Sequence, residues 1–234
     1  MRSAGRIWRW VAALLLLGAA AVRAQVSNEF PGTAGSVIPI GDGAWSATAA
    51  QTVGAGSSVL QAEAGWPGVT FTYLRGANER TDWGARVSFN YGFQNTTNSL
   101  AGVDLQVPYR YRLTDNGSGS INVALQASPG LSLYSNHGST LVGVGGPFGV
   151  VAGTRVSDSL TLDAGLDVPV LISFTNPFGV VFGPLVGVGG EYLVDRNLAV
   201  TARVRVGPEI SLDHNGSSNQ LGLQTMIGIA YNMR

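Results

Sequence analysis

Residues 198–213 read LAVTARVRVGPEISLD and alternate between apolar and polar side chains with a period of two. This period is the signature of a β-strand whose two faces meet different environments. Thr201, Arg203, Arg205 and Glu209 fall on the polar face. The apolar face consists of Leu198, Val200, Ala202, Val204, Val206, Pro208, Ile210 and Leu212. The stretch therefore predicts a strand with one apolar face and one polar face.

The same phase recurs along the chain from about residue 58 onward. Residues 160–174 and 83–93 keep it clearly, and the pattern predicts further strands at 58–75, 99–113, 119–134, 139–156, 179–194 and 219–232. In the first of these we expect a bulge at Trp66-Pro67-Gly68, because proline cannot donate to a β-ladder. Such runs exceed the about five or six residues usual in soluble sheets and reach the roughly 9–11 that cross a bilayer. Strand length therefore favours a membrane barrel.

The connections between these strands form two alternating sets, one for each rim. The first set is 76–81, 114–119, 157–159 and 195–197, and the second is 94–99, 135–139, 175–178 and 214–218. Both termini of such a barrel should lie on the periplasmic side, so the strand beginning at residue 58 needs a partner before it. Residues 44–52 supply that partner. The sequence thus predicts an all-β fold, a closed antiparallel up-and-down transmembrane barrel of ten strands, with eight as the alternative.

Aromatic residues on the apolar face are sorted by height. One group lies near the first set of turns, as a periplasmic aromatic girdle would, and comprises Tyr73, Trp83, Tyr109, Tyr111, Tyr192 and Tyr231. A looser group at the other rim comprises Tyr91, Phe93, Phe174 and Phe182. The alternative is the core of a soluble sandwich, since alternation alone does not tell inside from outside. The sorting of these aromatic residues by height along the strands favours a membrane barrel over a soluble sandwich.

The N-terminus predicts export. Three arginines precede an apolar run at 11–21, which is too short to span a bilayer, and Val22-Arg23-Ala24 has the small residues that signal peptidase reads. We expect a signal peptide over residues 1–24 cleaved after Ala24, a periplasmic leader over 25–43 and a barrel domain over 44–234. The predicted location is the outer membrane of a Gram-negative bacterium.

Composition excludes several function classes. All 14 basic residues are arginine, and loss of the four in the signal peptide leaves ten against 14 acids, a net charge of −4. This balance argues against a nucleic-acid partner. There is no cysteine, so disulfides, thiolate metal sites and an N-terminal lipid anchor are excluded. No phosphate loop, zinc spacing or calcium loop occurs, so no cofactor is predicted.

The signal peptide, the amphipathic strands in hairpin order and the aromatic belts together resemble the small outer-membrane barrels, the group that includes the OmpA transmembrane domain. The resemblance covers most of residues 44–234. It implies outer-membrane lipid and the barrel-assembly machinery as partners. Members of the group end in an aromatic residue that this machinery recognises, whereas this chain ends Tyr231-Asn232-Met233-Arg234.

Charged residues on the polar parity predict a lumenal network. Its members are Glu63, Arg86, Asp104, Arg110, Arg112, Arg155, Asp163, Asp167, Glu191, Arg203, Arg205 and Glu209. Turn register places three pairs within reach on adjacent strands: Arg155 with Asp163, Glu191 with Arg203, and Arg86 with Asp104. An isolated buried charge is costly, so we expect these groups to pair. The network either plugs the lumen or lines a narrow path for small solutes or ions.

These features predict a structural or passive-permeability barrel and no enzyme. The alternative is a hydrolase that resembles the lipid A deacylase barrels, because His137 and Ser139 have the His-x-Ser spacing in which histidine activates serine for acyl transfer. A single histidine in a polar loop is more often simply solvated. No orienting third group accompanies this pair, which weakens the hydrolase alternative.

Overall fold

The period-two alternation folds into ten antiparallel strands that close on themselves. The structure is a computed structural model and describes residues 45–93, 99–114, 121–136, 139–175, 178–213 and 216–233. The predicted signal peptide, its cleavage after Ala24 and the leader lie outside the described residues. Among those residues no helix is long and apolar enough to cross a membrane.

The ten strands are numbered β1 to β10 along the chain. They are β1 (Ser58–Trp66), β2 (Gly68–Asn78), β3 (Thr81–Gly92), β4 (Ser99–Gln106 and Tyr109–Arg112), β5 (Asn122–Ala127 and Gly130–Asn136), β6 (Ser139–Arg155), β7 (Leu160–Ser173), β8 (Gly179–Phe182 and Leu185–Leu193), β9 (Leu198–Asp213) and β10 (Gly216–Met233). Each strand pairs with its neighbours in sequence, and β1 pairs with β10 from Ser58–Met233 to Trp66–Thr225. The predicted closed antiparallel barrel of ten strands is confirmed.

Three of the strands are interrupted where a proline occurs. The breaks fall at Pro108 in β4, Pro129 in β5 and Pro184 in β8. A proline has no N–H to donate, so the ladder loses a bond there. The same register continues on both sides of each break, which is why each pair of segments is one strand. The sequence pattern predicted these three strands as uninterrupted.

The expected bulge at Trp66-Pro67-Gly68 is wrong, because this tripeptide is a turn. Ser58–Trp66 and Gly68–Asn78 lie antiparallel to each other, with Ala64 opposite Val69. The carbonyl of Pro67 accepts hydrogen bonds from the backbone N–H groups of Tyr91 (3.0 Å) and Gly92 (2.9 Å) on β3. Residues predicted as one strand thus form a short hairpin that supplies two.

The prediction that residues 44–52 form a strand is also wrong. Ala44 lies outside the described residues, and residues 45–52 have no strand pairing. Since the first hairpin already supplies the tenth strand, β10 uses its available edge to pair with β1. Residues 45–53 therefore have no sheet edge to join, and they lie inside the barrel instead.

The two ends of the barrel carry the two predicted sets of turns. We call the end with residues 79–80, 113–114, 156–159 and 194–197 the base, and the end with Pro67 and residues 93, 174–175 and 178 the mouth. The register advances by about 12 residues in one circuit, which corresponds to strands tilted by roughly 35–45°. A barrel of this size is just wide enough for side chains to fill.

The outward face is apolar and exposed around the whole wall. Large side chains such as Ile227 (68% exposed), Phe89 (52%) and Leu131 (53%) point away from the lumen. Tyr73, Trp83, Tyr109, Tyr111, Tyr192 and Tyr231 lie on this face near the base and are between 36% and 54% exposed. Phe93 was placed on the apolar face by its parity, and this is wrong. Phe93 lies one residue beyond the end of β3, and its ring packs edge-to-face on the lumenal Tyr134.

Arginine on the two faces should have different consequences for folding. Val204 is outward and 49% exposed, whereas Gln224 lines a lumenal cavity. A charge facing hydrocarbon near the midplane costs about 2–4 kcal/mol. Val204→Arg should therefore lower the free energy of unfolding in phospholipid vesicles by about that amount, and Gln224→Arg by clearly less. Equal losses in urea titrations would mean that the outward face does not meet lipid.

Candidate functional site

The lumen is the candidate site, and its base is filled by residues 45–53, which we call the plug. Ala49, Ala50 and Val53 are fully buried, and Trp45 is 3% exposed. The indole N–H of Trp45 donates to the Arg196 carbonyl in the β8–β9 turn at 3.0 Å. Because the plug has no strand partner, its backbone polar groups need lumenal side chains.

Glu191 on β8 supplies acceptors for the start of the plug. Its Oε2 accepts hydrogen bonds from the backbone N–H of Ala47 (2.9 Å) and of Thr48 (3.3 Å), and from the Ser46 hydroxyl (3.2 Å). Glu191 is 1% exposed. The predicted pair of Glu191 with Arg203 is therefore wrong, because the plug occupies the Glu191 carboxylate.

Arg110 on β4 supplies the donors for the plug. Its guanidinium donates to the carbonyls of Ser46 (2.7 Å), Ala47 (3.2 Å) and Ala49 (2.8 Å). It also forms a buried ion pair with Asp82 on β3 at 2.5 Å. The Asp82 carboxylate in turn accepts the backbone N–H of Val53 at 3.2 Å. One ion pair thus fixes both ends of the plug.

Asp82 is a site residue that the sequence reading missed. It is fully buried and has the same strand parity as Arg86, which was assigned to the lumen. The signal was therefore present in the sequence. It was lost because Asp82 directly follows residues 76–81, which were taken as a turn, and parity was counted only inside the strand.

Lumenal glycines make room for the plug and for long side chains. A methyl group at Gly153 would lie 3.1 Å from the Cβ of Ala49 and 3.4 Å from the Ala50 nitrogen. A methyl group at Gly187 would lie 2.6 Å from the Arg205 side chain. A side chain at Gly187 would force its neighbours to shift, whereas a small side chain at Gly153 needs the plug to move by only a few tenths of an ångström.

Above the plug, two ion pairs cross the middle of the lumen. Arg203 donates to Glu63 at 2.7 Å, and the Arg203 and Glu63 side chains are only 14% and 1% exposed. Arg205 pairs with Asp167, whose other oxygen accepts from the Gln126 amide at 2.6 Å. Arg203 is therefore compensated by β1, across the seam that closes the barrel.

The other two predicted pairs are wrong. Arg155 donates to the Asp158 carbonyl at 2.9 Å, and no hydrogen bond or ion pair joins it to Asp163 among the described residues. Arg86 donates to the hydroxyls of Thr72 (3.1 Å) and Ser128 (3.4 Å) rather than to Asp104. Being diagonal neighbours on adjacent strands therefore did not predict which charged residues pair.

The remaining predicted charges lie on the same inward face. Asp104 accepts from the Asn90 amide at 2.6 Å and from the Tyr134 hydroxyl at 3.1 Å. Arg112 is 5% exposed at the base, and Glu209 near the mouth accepts from the Gln220 amide at 3.0 Å. No group of three or more potential ligands that could hold a metal occurs in the described part of the chain.

A cavity of about 70 Å³ lies between the middle ion pairs and the mouth. Its lining is mainly polar and includes Thr70, Arg86, Ser88, Asn90, Asp104, Gln106, Tyr134, Arg203, Gln224, Pro67, Gly146, Pro147, Pro169 and Met226. The volume suffices for a few waters or one small solute. It is the part of the lumen that neither the plug nor a cross-lumen ion pair occupies.

The hydrolase alternative rests on His137 and Ser139, which the described part of the chain does not bring together. His137 lies outside the described residues, and for Ser139 the structure describes the backbone, which begins β6. The acyl-transfer alternative therefore receives no support from geometry.

Comparisons with known proteins give no family. No protein-family model matches the chain, and no curated protein does either. Among solved structures the chain is similar to a KdgM porin in complex with disordered oligogalacturonate, with 14% identity and a TM-score of 0.32. That match covers 76% of this chain and 99% of the porin chain. A likeness at this level carries no inference about ligand or activity, and membership in the OmpA-like group stays a prediction.

The pairing of Glu63 with Arg203 can be tested by a double-mutant cycle. Removing one member leaves a mostly buried charge without its partner, so Glu63→Gln and Arg203→Gln should couple by about 1–3 kcal/mol in urea unfolding. The matched control is the cycle of Glu191→Gln with Arg203→Gln, which should show coupling near zero. The reverse ranking would contradict the register of the seam.

Proposed function

We propose that this chain is an outer-membrane β-barrel of a Gram-negative bacterium that lets small polar solutes or ions through a narrow lumen. The apolar outward face supports the membrane environment, because a soluble protein rarely exposes a continuous belt of large apolar side chains. Ile227, Ile229 and Leu221 on β10 alone are each more than 50% exposed. The exposed aromatic residues near the base fit a girdle at the periplasmic interface.

One observation favours a channel over a purely structural barrel: a separate chain segment closes the base. The plug is attached to the wall by hydrogen bonds through Glu191, Arg110 and Asp82, and covalently only through the chain that leads into β1. Closure by a segment that can withdraw is reversible, and we infer that the lumen conducts when residues 45–53 leave it.

Locking the plug with a disulfide tests this proposal. The chain contains no cysteine, so Ala49→Cys with Gly153→Cys introduces the only pair. The Cβ positions would be 3.1 Å apart, so the plug has to move by only a few tenths of an ångström to reach the about 3.8 Å of a disulfide. In planar bilayers the reduced double variant should show discrete conductance steps like those of the natural sequence. The oxidised form should be silent.

The two single cysteine variants serve as controls and should conduct under both conditions. Conductance that is equal in the oxidised and reduced double variant would refute closure by the plug. Silence of the natural sequence and of the reduced variant, in preparations that migrate as heat-modifiable folded barrels, would refute the channel and leave a structural barrel.

A further inference from the structure

Arg86 and Asp104 bring opposite charges to the same cavity without forming an ion pair. Arg86 binds the hydroxyls of Thr72 and Ser128, and Asp104 binds the Asn90 amide and the Tyr134 hydroxyl. Neither forms an ion pair among the described residues. The third charge in the cavity lining, Arg203, is paired with Glu63. The cavity therefore has one cationic and one anionic wall that no ion pair joins in the described part of the chain.

Arg86 and Asp104 are near each other on the barrel wall. Arg86 lies opposite Gln106 and Ser88 opposite Asp104, so the two residues are diagonal neighbours on the lumenal face of β3 and β4. The backbone positions of diagonal neighbours in an antiparallel ladder are about 7–8 Å apart. Because the guanidinium and the carboxylate bind different neutral groups, a small ligand with two opposite charges a few bonds apart can contact both.

We propose that this cavity binds a small zwitterion of the α-amino acid class, with its carboxylate at Arg86 and its ammonium at Asp104. The inference rests on the proposed channel, for which it names the solute class. A simple anion would leave the Asp104 carboxylate without an ion-pair partner, and a simple cation would leave the Arg86 guanidinium without one. Burying a charge without such a partner is unfavourable. The cavity volume of about 70 Å³ restricts the site to small members of the class.

Next to this cavity the barrel wall is shorter than on the side of β10, which favours access from the mouth. The first hairpin turns at Pro67, and Trp66 at its tip pairs with Thr225. Residues 216–224 of β10 therefore pair only with β9 in the described part of the barrel. Pro67 and Gln224, on either side of this step, both line the cavity. In the described part of the barrel the site therefore lies on the mouth side of the plug.

Binding is measured by calorimetry on the refolded, full mature chain in detergent, with glycine, acetate and methylammonium as probes. Glycine should bind saturably, and acetate and methylammonium at least about tenfold more weakly, since each can satisfy only one of the two charged walls. Arg86→Gln and Asp104→Asn should each weaken glycine binding by about tenfold or more. The control variants Arg155→Gln and Glu209→Gln change lumenal charges outside the cavity and should leave glycine binding unchanged.

The oxidised Ala49→Cys/Gly153→Cys protein separates this site from the channel. Glycine should still bind to it, because the site lies on the mouth side of the plug. Binding without conductance in the reduced form would refute the channel and keep the site. Conductance without saturable glycine binding would refute the site and keep the channel. Acetate binding as tight as that of glycine and insensitive to Asp104→Asn would also overturn the proposal, because it describes an anion site.

Discussion

The pairing of β1 with β10 is the constraint on which the rest of the molecule depends. Nine residue pairs, from Ser58–Met233 to Trp66–Thr225, join the ends of the sheet. Closure removes the free edges along this seam and fixes how wide the interior can be. In an interior this narrow, inward charges are poorly solvated and must find partners. The seam itself supplies one such partner, because Glu63 on β1 compensates Arg203 on β9.

Closure also determines where the chain before β1 goes. Gly54 and Gly56 have φ angles of +93° and +75°, a conformation that favours glycine, and they let the chain turn sharply between the plug and β1. Since β10 already pairs with β1, the plug finds no edge and must satisfy its backbone elsewhere. Glu191 provides the acceptor, Arg110 the donors, and Asp82 an acceptor at the far end. Charges that would otherwise pair across the lumen thus bind main chain.

The faces of the strands could be predicted from sequence because strand parity is a local property. Residues such as Val204 and Arg205 differ by one position, and the pleat alone sends them to opposite sides. The plug could not be predicted in this way, because its small residues carry no strong period and are buried on all sides. Phe93 shows the limit of parity, since it lies one residue beyond the end of β3, where the pleat no longer fixes the direction of a side chain. The hairpin at Pro67 was read as a bulge because both features place a proline where the ladder is interrupted.

The predictions of the charge pairs were wrong for a different reason. Turn register tells which charges are neighbours on adjacent strands, but the lumen brings together strands that are distant in sequence, as with Arg203 and Glu63. The lumen also contains the plug, whose backbone N–H groups bind the Glu191 carboxylate, so Glu191 does not pair with Arg203. Arg86 and Asp104 are neighbours in the ladder that nevertheless form no ion pair with each other. Within the described residues no plug residue hydrogen-bonds to them, and each binds neutral groups instead. Two opposite charges kept apart in a narrow lumen forgo a favourable interaction, which is expected where the space between them serves a ligand.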